Sequence, residues 1–215
     1  YTLIILAIAW IIGIIYVNRE YLNMLVATIS SRYFSQEDFT LNDPVTLAKI
    51  RDKIASGTEA EVISVLSMVA SKQNPISIEL LTQFLGHPSE AVRTETTRLV
   101  SRKHISELQG ALEKMLEKEE SPEVKLEALT AVCKLSDSLS AIETYSNSSD
   151  PLLRNAALSG MLANRNRSIR FSAEEELAHL LRSENSRDKA SALAILEQVS
   201  EEYDHPLLSL VLARE

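Results

Sequence analysis

The pattern of hydrophobic positions changes abruptly near residue 18. Residues 1–17 (YTLIILAIAWIIGIIYV) contain no charged side chain, and Asn18-Arg19-Glu20 follows directly. From residue 44 onward, apolar residues recur at the spacing of one helix face, in segments of about a dozen residues between short polar turns. The pattern predicts one apolar helix at the start of the chain and a series of amphipathic helices after it.

Three interpretations of residues 1–17 are open: a membrane-spanning helix, an apolar helix packed in a soluble core, and a signal peptide. At about 1.5 Å per residue the run is roughly 25 Å long, close to the about 30 Å of a bilayer core. A signal peptide carries its basic segment before the apolar run, whereas Arg19 follows it. We therefore predict a transmembrane helix. Because the chain begins at Tyr1 rather than Met, we expect it to be part of a longer membrane unit.

Residues 18–43 form the next segment. Tyr21, Leu22, Leu25, Ile29 and Tyr33 lie at helical spacing, which predicts a juxtamembrane amphipathic helix followed by a linker. Arg19 and Arg32 flank this segment, and the positive-inside tendency then puts the rest of the chain in the cytoplasm, beneath the inner (cell) membrane.

Polar turns divide the remainder into helices. Their short side chains offer oxygen atoms to the free N–H groups at the start of the next helix, and Pro stands in or beside three of the starts. The turns are Ser56-Gly57-Thr58, Gly86-His87-Pro88-Ser89, Glu120-Ser121-Pro122, Ser148-Ser149-Asp150-Pro151 and Ser183-Glu184-Asn185-Ser186. The acidic run 174–176 is placed at a helix start, where negative charge is favourable.

The helices that follow these turns share one register. A basic residue recurs at Arg93, Lys125, Arg154 and Lys189, with Ile63 in its place in the earliest helix. Three residues later comes a position that is small in most of the helices and predicts close helix approach: Leu66, Thr96, Ala128, Ala157 and Ala192. A unit of two helices cannot bury its apolar face alone, so several units must stack.

The segments 121–129 (SPEVKLEAL) and 150–158 (DPLLRNAAL) resemble the HEAT repeat in their order of acidic, apolar, basic, small and Leu positions. Ile63 and Asp188 depart from that order. The resemblance implies an all-α fold, a HEAT-like α-solenoid of stacked helical hairpins. It covers residues 44–215 as about five repeats, the last incomplete.

The order of the parts is also informative. An apolar helix, a juxtamembrane segment and a HEAT-like array resemble the end of bacterial transporters of the major-facilitator type, in particular the nucleotide (ATP/ADP) translocase-like proteins with HEAT repeats. This resemblance implies a cytosolic, regulatory appendage on a carrier of nucleotides or other solutes. The transport core would precede Tyr1, so no substrate-binding residue is carried over.

Composition narrows the function classes. The net charge is −8, which argues against nucleic acid as a partner, because binding needs an excess of Lys and Arg along a face. The most concentrated basic stretch, 165–170, is interpreted as a solvated loop. Cys133 is the only cysteine and has the setting of a helix core position. No catalytic motif, cofactor loop or metal-ligand spacing is recognised, so we predict a non-enzyme without cofactor.

The basic row Arg93, Lys125, Arg154 and Lys189 has two interpretations. It forms a groove that binds an acidic peptide or phosphate, or each side chain braces a neighbouring turn by bonding an acid or carbonyl such as Glu123 or Asp150. We favour the bracing role, since the position belongs to the repeat pattern itself.

The function expected from these patterns is non-catalytic. The repeats would present a helical surface to a protein partner or to the transport unit of the same chain, with residues 1–17 in the membrane. Two alternatives are a soluble HEAT-repeat scaffold, in which residues 1–17 pack on the first repeat, and a HEAT-like lyase that binds a chromophore.

Overall fold

The computed structural model describes residues 44–71 and 77–200, and this part of the chain is all-α, with ten α-helices, one 3₁₀-helix and no strand. The predicted transmembrane helix 1–17, the juxtamembrane segment 18–43 and the end of the array, 201–215, lie outside the described residues. Within the described ranges, no helix has the length and apolar character needed to cross a membrane.

The helices fall into two compact units whose boundary lies between Val92 and Arg93. The first unit contains α1 (Pro44–Ser56), α2 (Glu59–Ser71), α3 (Ile78–Leu85) and the start of α4 (Glu90–Lys103). Helix α1 packs against both α2 and α3.

A capping box starts α2. The backbone N–H of Thr58 donates to Glu61 Oε2 at 2.9 Å, and the N–H of Glu61 donates to Thr58 Oγ1 at 3.4 Å. Lys53 Nζ also donates to Glu61 Oε1 at 2.8 Å. Hydrogen bonds from Lys53, and then from the Thr58 backbone and hydroxyl, lower the pKa of Glu61 to about 2.

The second unit continues from Arg93 through the 3₁₀-helix Ser106–Leu108 and six more α-helices. These are α5 (Gln109–Lys118), α6 (Pro122–Leu135), α7 (Leu139–Ser146), α8 (Pro151–Leu162), α9 (Arg167–Arg182) and α10 (Ser186–Ser200). Helices α5 and α6, α7 and α8, and α9 and α10 pack as consecutive pairs. Helix α8 also packs against α6 and against α10. The second helices of the three pairs are therefore linked through α8.

The five turns predicted from the sequence all lie between helices, and Pro122 and Pro151 begin α6 and α8. The recurring position of mostly small residues is also confirmed. All five of its side chains are at most 1% exposed: Leu66, Thr96, Ala128, Ala157 and Ala192. Cys133 is fully buried on α6, as its setting predicted.

The contact between α6 and α8 is close enough to require a glycine. A Cβ atom on Gly160 would overlap the carbonyl oxygen of Thr130 and lie 2.9 Å from Cβ of Cys133. The hydroxyl of Thr130 bridges the same seam, because it donates to the carbonyl oxygens of Leu126 at 3.0 Å and Ala156 at 3.2 Å. Backbone therefore lies directly on backbone at this point, without an intervening side chain.

One turn device recurs six times. A polar side chain accepts the backbone N–H of the residue two positions later, and that second residue immediately precedes the next helix. The six pairs are His87 with Ser89, Glu119 with Ser121, Ser136 with Ser138, Ser148 with Asp150, Asn164 with Asn166, and Ser183 with Asn185, at 2.7 to 3.2 Å. We call the first residue of each pair the turn acceptor.

The predicted helix caps are confirmed at most of these turns. Asp150 and Asn185 accept N–H groups of the helix that follows them, at 2.9 and 3.0 Å. Ser121 and Ser138 are exceptions, because neither side chain makes a cap bond to the helix that follows it. Before α6, Glu119 accepts the N–H of Ser121.

Asn164 is the most connected turn acceptor. It is 3% exposed, and its Nδ2 donates to the carbonyl oxygens of Cys133 and Ser136, both at 2.8 Å. Its Oδ1 accepts the N–H of Asn166 at 2.7 Å. One side chain therefore ties the end of α6 to the end of α8 and also shapes the turn into α9.

The placement of the acidic run 174–176 at a helix start was wrong. Helix α9 begins at Arg167, so the run lies in the middle of the helix. Its first member is near Arg170, with Arg170 Nε 3.8 Å from Glu174 Oε1. The actual start is the Asn164-Arg165-Asn166 turn, which contains neither Gly nor Pro.

We expect Gly160→Ala to lower the free energy of unfolding by about 3 kcal/mol, because the added methyl group meets a backbone oxygen that cannot move aside. Gly110→Ala is the matched control, since nothing lies within 4 Å of its Cβ position; it should leave stability unchanged or raise it by up to about 1 kcal/mol. Urea denaturation of both variants measures the difference. Equal stabilities would mean that α6 and α8 are not in direct backbone contact.

We expect Asn164→Ala to lower the free energy of unfolding by about 2–4 kcal/mol, since two buried carbonyls and one N–H lose their partner together. Asn166→Ala removes a cap at the exposed side of the same turn and should cost about 1 kcal/mol. Thermal melts of the two variants compare the effects. A loss for Asn164→Ala no larger than for Asn166→Ala would contradict the bridging role.

Candidate functional site

The four residues of the basic row occupy the same place in four helices. Arg93, Lys125, Arg154 and Lys189 are each the fourth residue of α4, α6, α8 and α10. The N-terminal end of a helix carries partial positive charge, so a cation is not favoured there by the helix itself. A nearby anion offsets this unfavourable effect.

Arg93 has such an anion. Its Nε donates to Glu119 Oε2 and its Nη2 to Glu119 Oε1, both at 2.8 Å. The two side chains are only 15% and 5% exposed. The hydrogen bonds from Arg93 lower the pKa of Glu119, and a smaller opposing effect comes from burial. This two-point geometry is the strong form of an Arg–carboxylate pair.

Glu119 has two functions at once, because it is also the turn acceptor before α6. Arg93 on α4 is thus bonded to the turn that starts the next helix of its kind. Arg93 therefore braces a turn between helices, as the bracing interpretation expected, with Glu119 as the acid rather than Glu123.

The other three members of the row differ from Arg93. Among the described residues, the side chains of Lys125, Arg154 and Lys189 have no hydrogen bond or ion-pair partner. Lys125 and Arg154 are half-buried and Lys189 is exposed. The structure therefore brings the four residues to one helical position but pairs only one of them with an acid.

The turn acceptors explain this difference. The acid that pairs with Arg93 is the acceptor of the turn before α6. The corresponding turn for Lys125, before α8, has Ser148 as acceptor, and the one for Arg154, before α10, has Ser183. Serine performs the turn function but brings no negative charge, so Lys125 and Arg154 lack the carboxylate that Arg93 has.

Arg154 is the most unusual of the three. Its Nε is shielded from solvent and has no hydrogen-bond partner in the described part of the chain. A buried N–H without an acceptor costs free energy. Its terminal nitrogens are not among the shielded atoms, so they face solvent. On the same helix, Asn155 Oδ1 and Ser159 Oγ are also buried without a partner.

The basic stretch 165–170 lies at the α8–α9 turn and in the first turn of α9. Arg165 and Arg167 are exposed. Burial lowers the pKa of His104, and the charges of Arg165 and Lys134 lower it further, against an opposing effect of Asp137. His104 also has a positive φ of 55°. Structural bonds dominate this edge, since the Asn164 and Asn166 amides hold the two turns together.

The residues considered for catalysis are placed as follows. Burial raises the pKa of the Cys133 thiol to about 12, so the thiol stays protonated and unreactive at neutral pH. His87 is a turn acceptor through Nδ1. The described residues contain no group of three or more His, Cys, Asp or Glu side chains arranged to hold a metal ion.

Sequence reasoning identified the basic row but missed Glu119 as its acid. The sequence contained a signal for this acid, because each turn acceptor lies three residues before the first residue of the following helix. Reading that position along the chain gives His, Glu, Ser and Ser for the turns before α4, α6, α8 and α10. Glu119 is the only acid in this series.

Comparisons of the chain with protein-family models, curated proteins and solved structures give no match.

We expect Arg93→Gln to lower the free energy of unfolding at pH 7 by about 2 kcal/mol, because Glu119 loses its cation in a nearly buried site. The lowered pKa of Glu119 means that the pairing stabilises the fold above its usual value of 4.5 and that this contribution is lost as the pH falls below it. The acid-induced loss of stability should therefore be smaller in the variant. Chemical denaturation between pH 3 and pH 7 measures both effects.

Arg98→Gln is the matched control. Arg98 Nε lies 3.3 Å from Glu127 Oε2, with side-chain exposures of 48% and 23%, so its loss should cost at most about 1 kcal/mol. If the two variants cannot be distinguished in stability or in pH profile, Arg93 and Glu119 do not form a strong pair.

Proposed function

We propose that this chain is a non-catalytic interaction module, a HEAT-like α-solenoid held at the cytoplasmic face of the inner membrane by its apolar N-terminal helix. In this proposal it is the regulatory appendage of a membrane carrier of nucleotides or related solutes. The repeats bind either the carrier's own transport unit or a separate protein.

The observation that carries the proposal is the linkage of α6, α8 and α10 through α8 within the second unit. Each of these helices has a basic residue as its fourth residue, and each is preceded by a turn of the same design. A repeated element of this kind produces an extended surface on which one chemical feature recurs, which suits a long protein segment better than a small substrate.

The membrane part of the proposal is supported by composition. Residues 1–17 lack charge, and Arg19 follows them. The carrier part is supported by the order of an apolar helix, a juxtamembrane segment and a repeat array, which resembles nucleotide translocase-like transporters.

An extraction experiment on the full chain tests the membrane part. We expect the chain to remain in bacterial membranes after an alkaline carbonate wash. The double variant Ala7→Arg/Ile11→Arg should be released, because each Arg near the centre of a helix costs about 2.5–3.5 kcal/mol of insertion free energy. The matched control Asn18→Arg, at the end of the run, should stay in the membrane.

Protease accessibility then tests the side of the membrane. Protease should cleave the repeats in inverted vesicles and leave them intact in spheroplasts. Release of the unaltered chain by carbonate would refute the tether and leave the soluble scaffold as the better description.

A further inference from the structure

We infer that Arg154, with Lys125 beside it in the row, is the binding site for a carboxylate side chain of an acidic protein segment. The inference rests on the proposed function as an interaction module and names the chemical class of its partner. It is carried by the comparison of Arg154 with Arg93, which has the same position in its own helix.

Arg154 and Arg93 have similar settings in their helices, but only Arg93 is paired. Arg93 uses Nε and one terminal nitrogen to hold both oxygens of Glu119 at 2.8 Å. Arg154 is also half-buried in the first turns of a helix, yet its Nε has no acceptor among the described residues. The terminal nitrogens are not among the shielded atoms, so a carboxylate from outside can reach them without disrupting an existing bond, whereas the shielded Nε is out of its reach.

The turn before α10 brings no free acid to Arg154. The residue that corresponds to Glu119 is Ser183, whose hydroxyl accepts the N–H of Asn185 at 3.1 Å and donates to Asp188 Oδ2 at 2.7 Å. Ser183 fulfils the turn requirement and keeps Asp188 engaged with the turn. These elements therefore supply no carboxylate that is bonded to Arg154.

The Arg93–Glu119 pair indicates which chemical group suits Arg154. Within this fold the position is filled once, at Arg93, and the occupant is a Glu side chain. A guanidinium donates two parallel hydrogen bonds to a carboxylate, and such pairs are strengthened where water is partly excluded. Lys125, on the packed neighbour α6, adds a second unpaired cation, so a segment with more than one acidic residue fits better than an isolated anion.

A substitution that supplies the missing acid from within the chain gives the sharpest test. Ser183→Glu puts a carboxylate where Glu119 stands relative to Arg93. We expect this variant to melt at a higher temperature than the unaltered chain, and the increase to disappear when Arg154→Gln is added. Ser183→Gln is the matched control, since it has the same shape without the charge, and should not raise the melting temperature.

Binding is measured on the purified full chain with a fluorescent hexaglutamate peptide, by polarisation at low and at physiological salt. We expect Ser183→Glu and Arg154→Gln each to weaken binding about tenfold, as the loss of a charge-assisted hydrogen-bond pair predicts. Ser183→Gln should bind like the unaltered chain. Arg187→Gln, an exposed cation one helix away, should have less than a twofold effect.

Three results would overturn the inference. Unchanged peptide binding in Arg154→Gln would show that Arg154 does not bind the peptide. An equal loss of binding in Arg187→Gln would show that the peptide is held by general charge attraction. Displacement of the peptide by inorganic phosphate at the same concentration as by glutamate would assign the site to phosphate instead. These results are independent of the carbonate wash and protease assays, so failure of the membrane proposal and failure of this site are separately visible.

Discussion

The direct contact of backbone with backbone between α6 and α8 is the constraint on which the second unit depends. It requires the absence of a side chain at Gly160, and the Thr130 hydroxyl connects the two helices across the same seam. Because α8 packs in turn against α10 and against both α7 and α9, its position relative to α6 determines where all of these helices lie. The fully buried Ala128, Ala157 and Ala192 allow the approach to be repeated. Packing of this kind gains from dispersion over a large contact and tolerates little change in volume.

This packing fixes where the turns lie, and therefore which turn acceptor lies near each cation of the basic row. A turn acceptor must accept one N–H group, and serine, asparagine, histidine or glutamate can do so. Glutamate alone among these also carries a negative charge, and only the turn before α6 uses it. Any of these residues can serve the turn. Which of them is present therefore decides whether the cation one helix pair earlier forms an internal ion pair, as Arg93 does, or has none, as is the case for Arg154.

Much of the fold could be predicted from the sequence, because it depends on local signals. Helical spacing and capping residues placed the five turns correctly, and the recurring small residues identified the buried seam. The loop predicted over 165–170 covers only part of the Asn164-Arg165-Asn166 turn, because the residues from Arg167 onward belong to α9. The start of α9 depends on side-chain amides rather than on Gly or Pro, so it was missed and the acidic run 174–176 was assigned to a helix start. The Arg93–Glu119 pair joins residues 26 positions apart, so its detection requires the packing of α4 relative to the next turn. The transmembrane and carrier predictions concern residues outside the described ranges and stay predictions.

The two hydrogen bonds from Asn164 to the end of α6 also affect how this region opens. Its amide closes a loop of 28 to 31 residues that contains all of α7 and α8. Separation of the end of α8 from the end of α6 requires the buried amide to lose both carbonyl acceptors, so we expect these two helix ends to open together in hydrogen exchange. Helix α7 lies inside the loop, but Ile142 is its one buried side chain. Its amides can therefore exchange through local opening that leaves this tie intact.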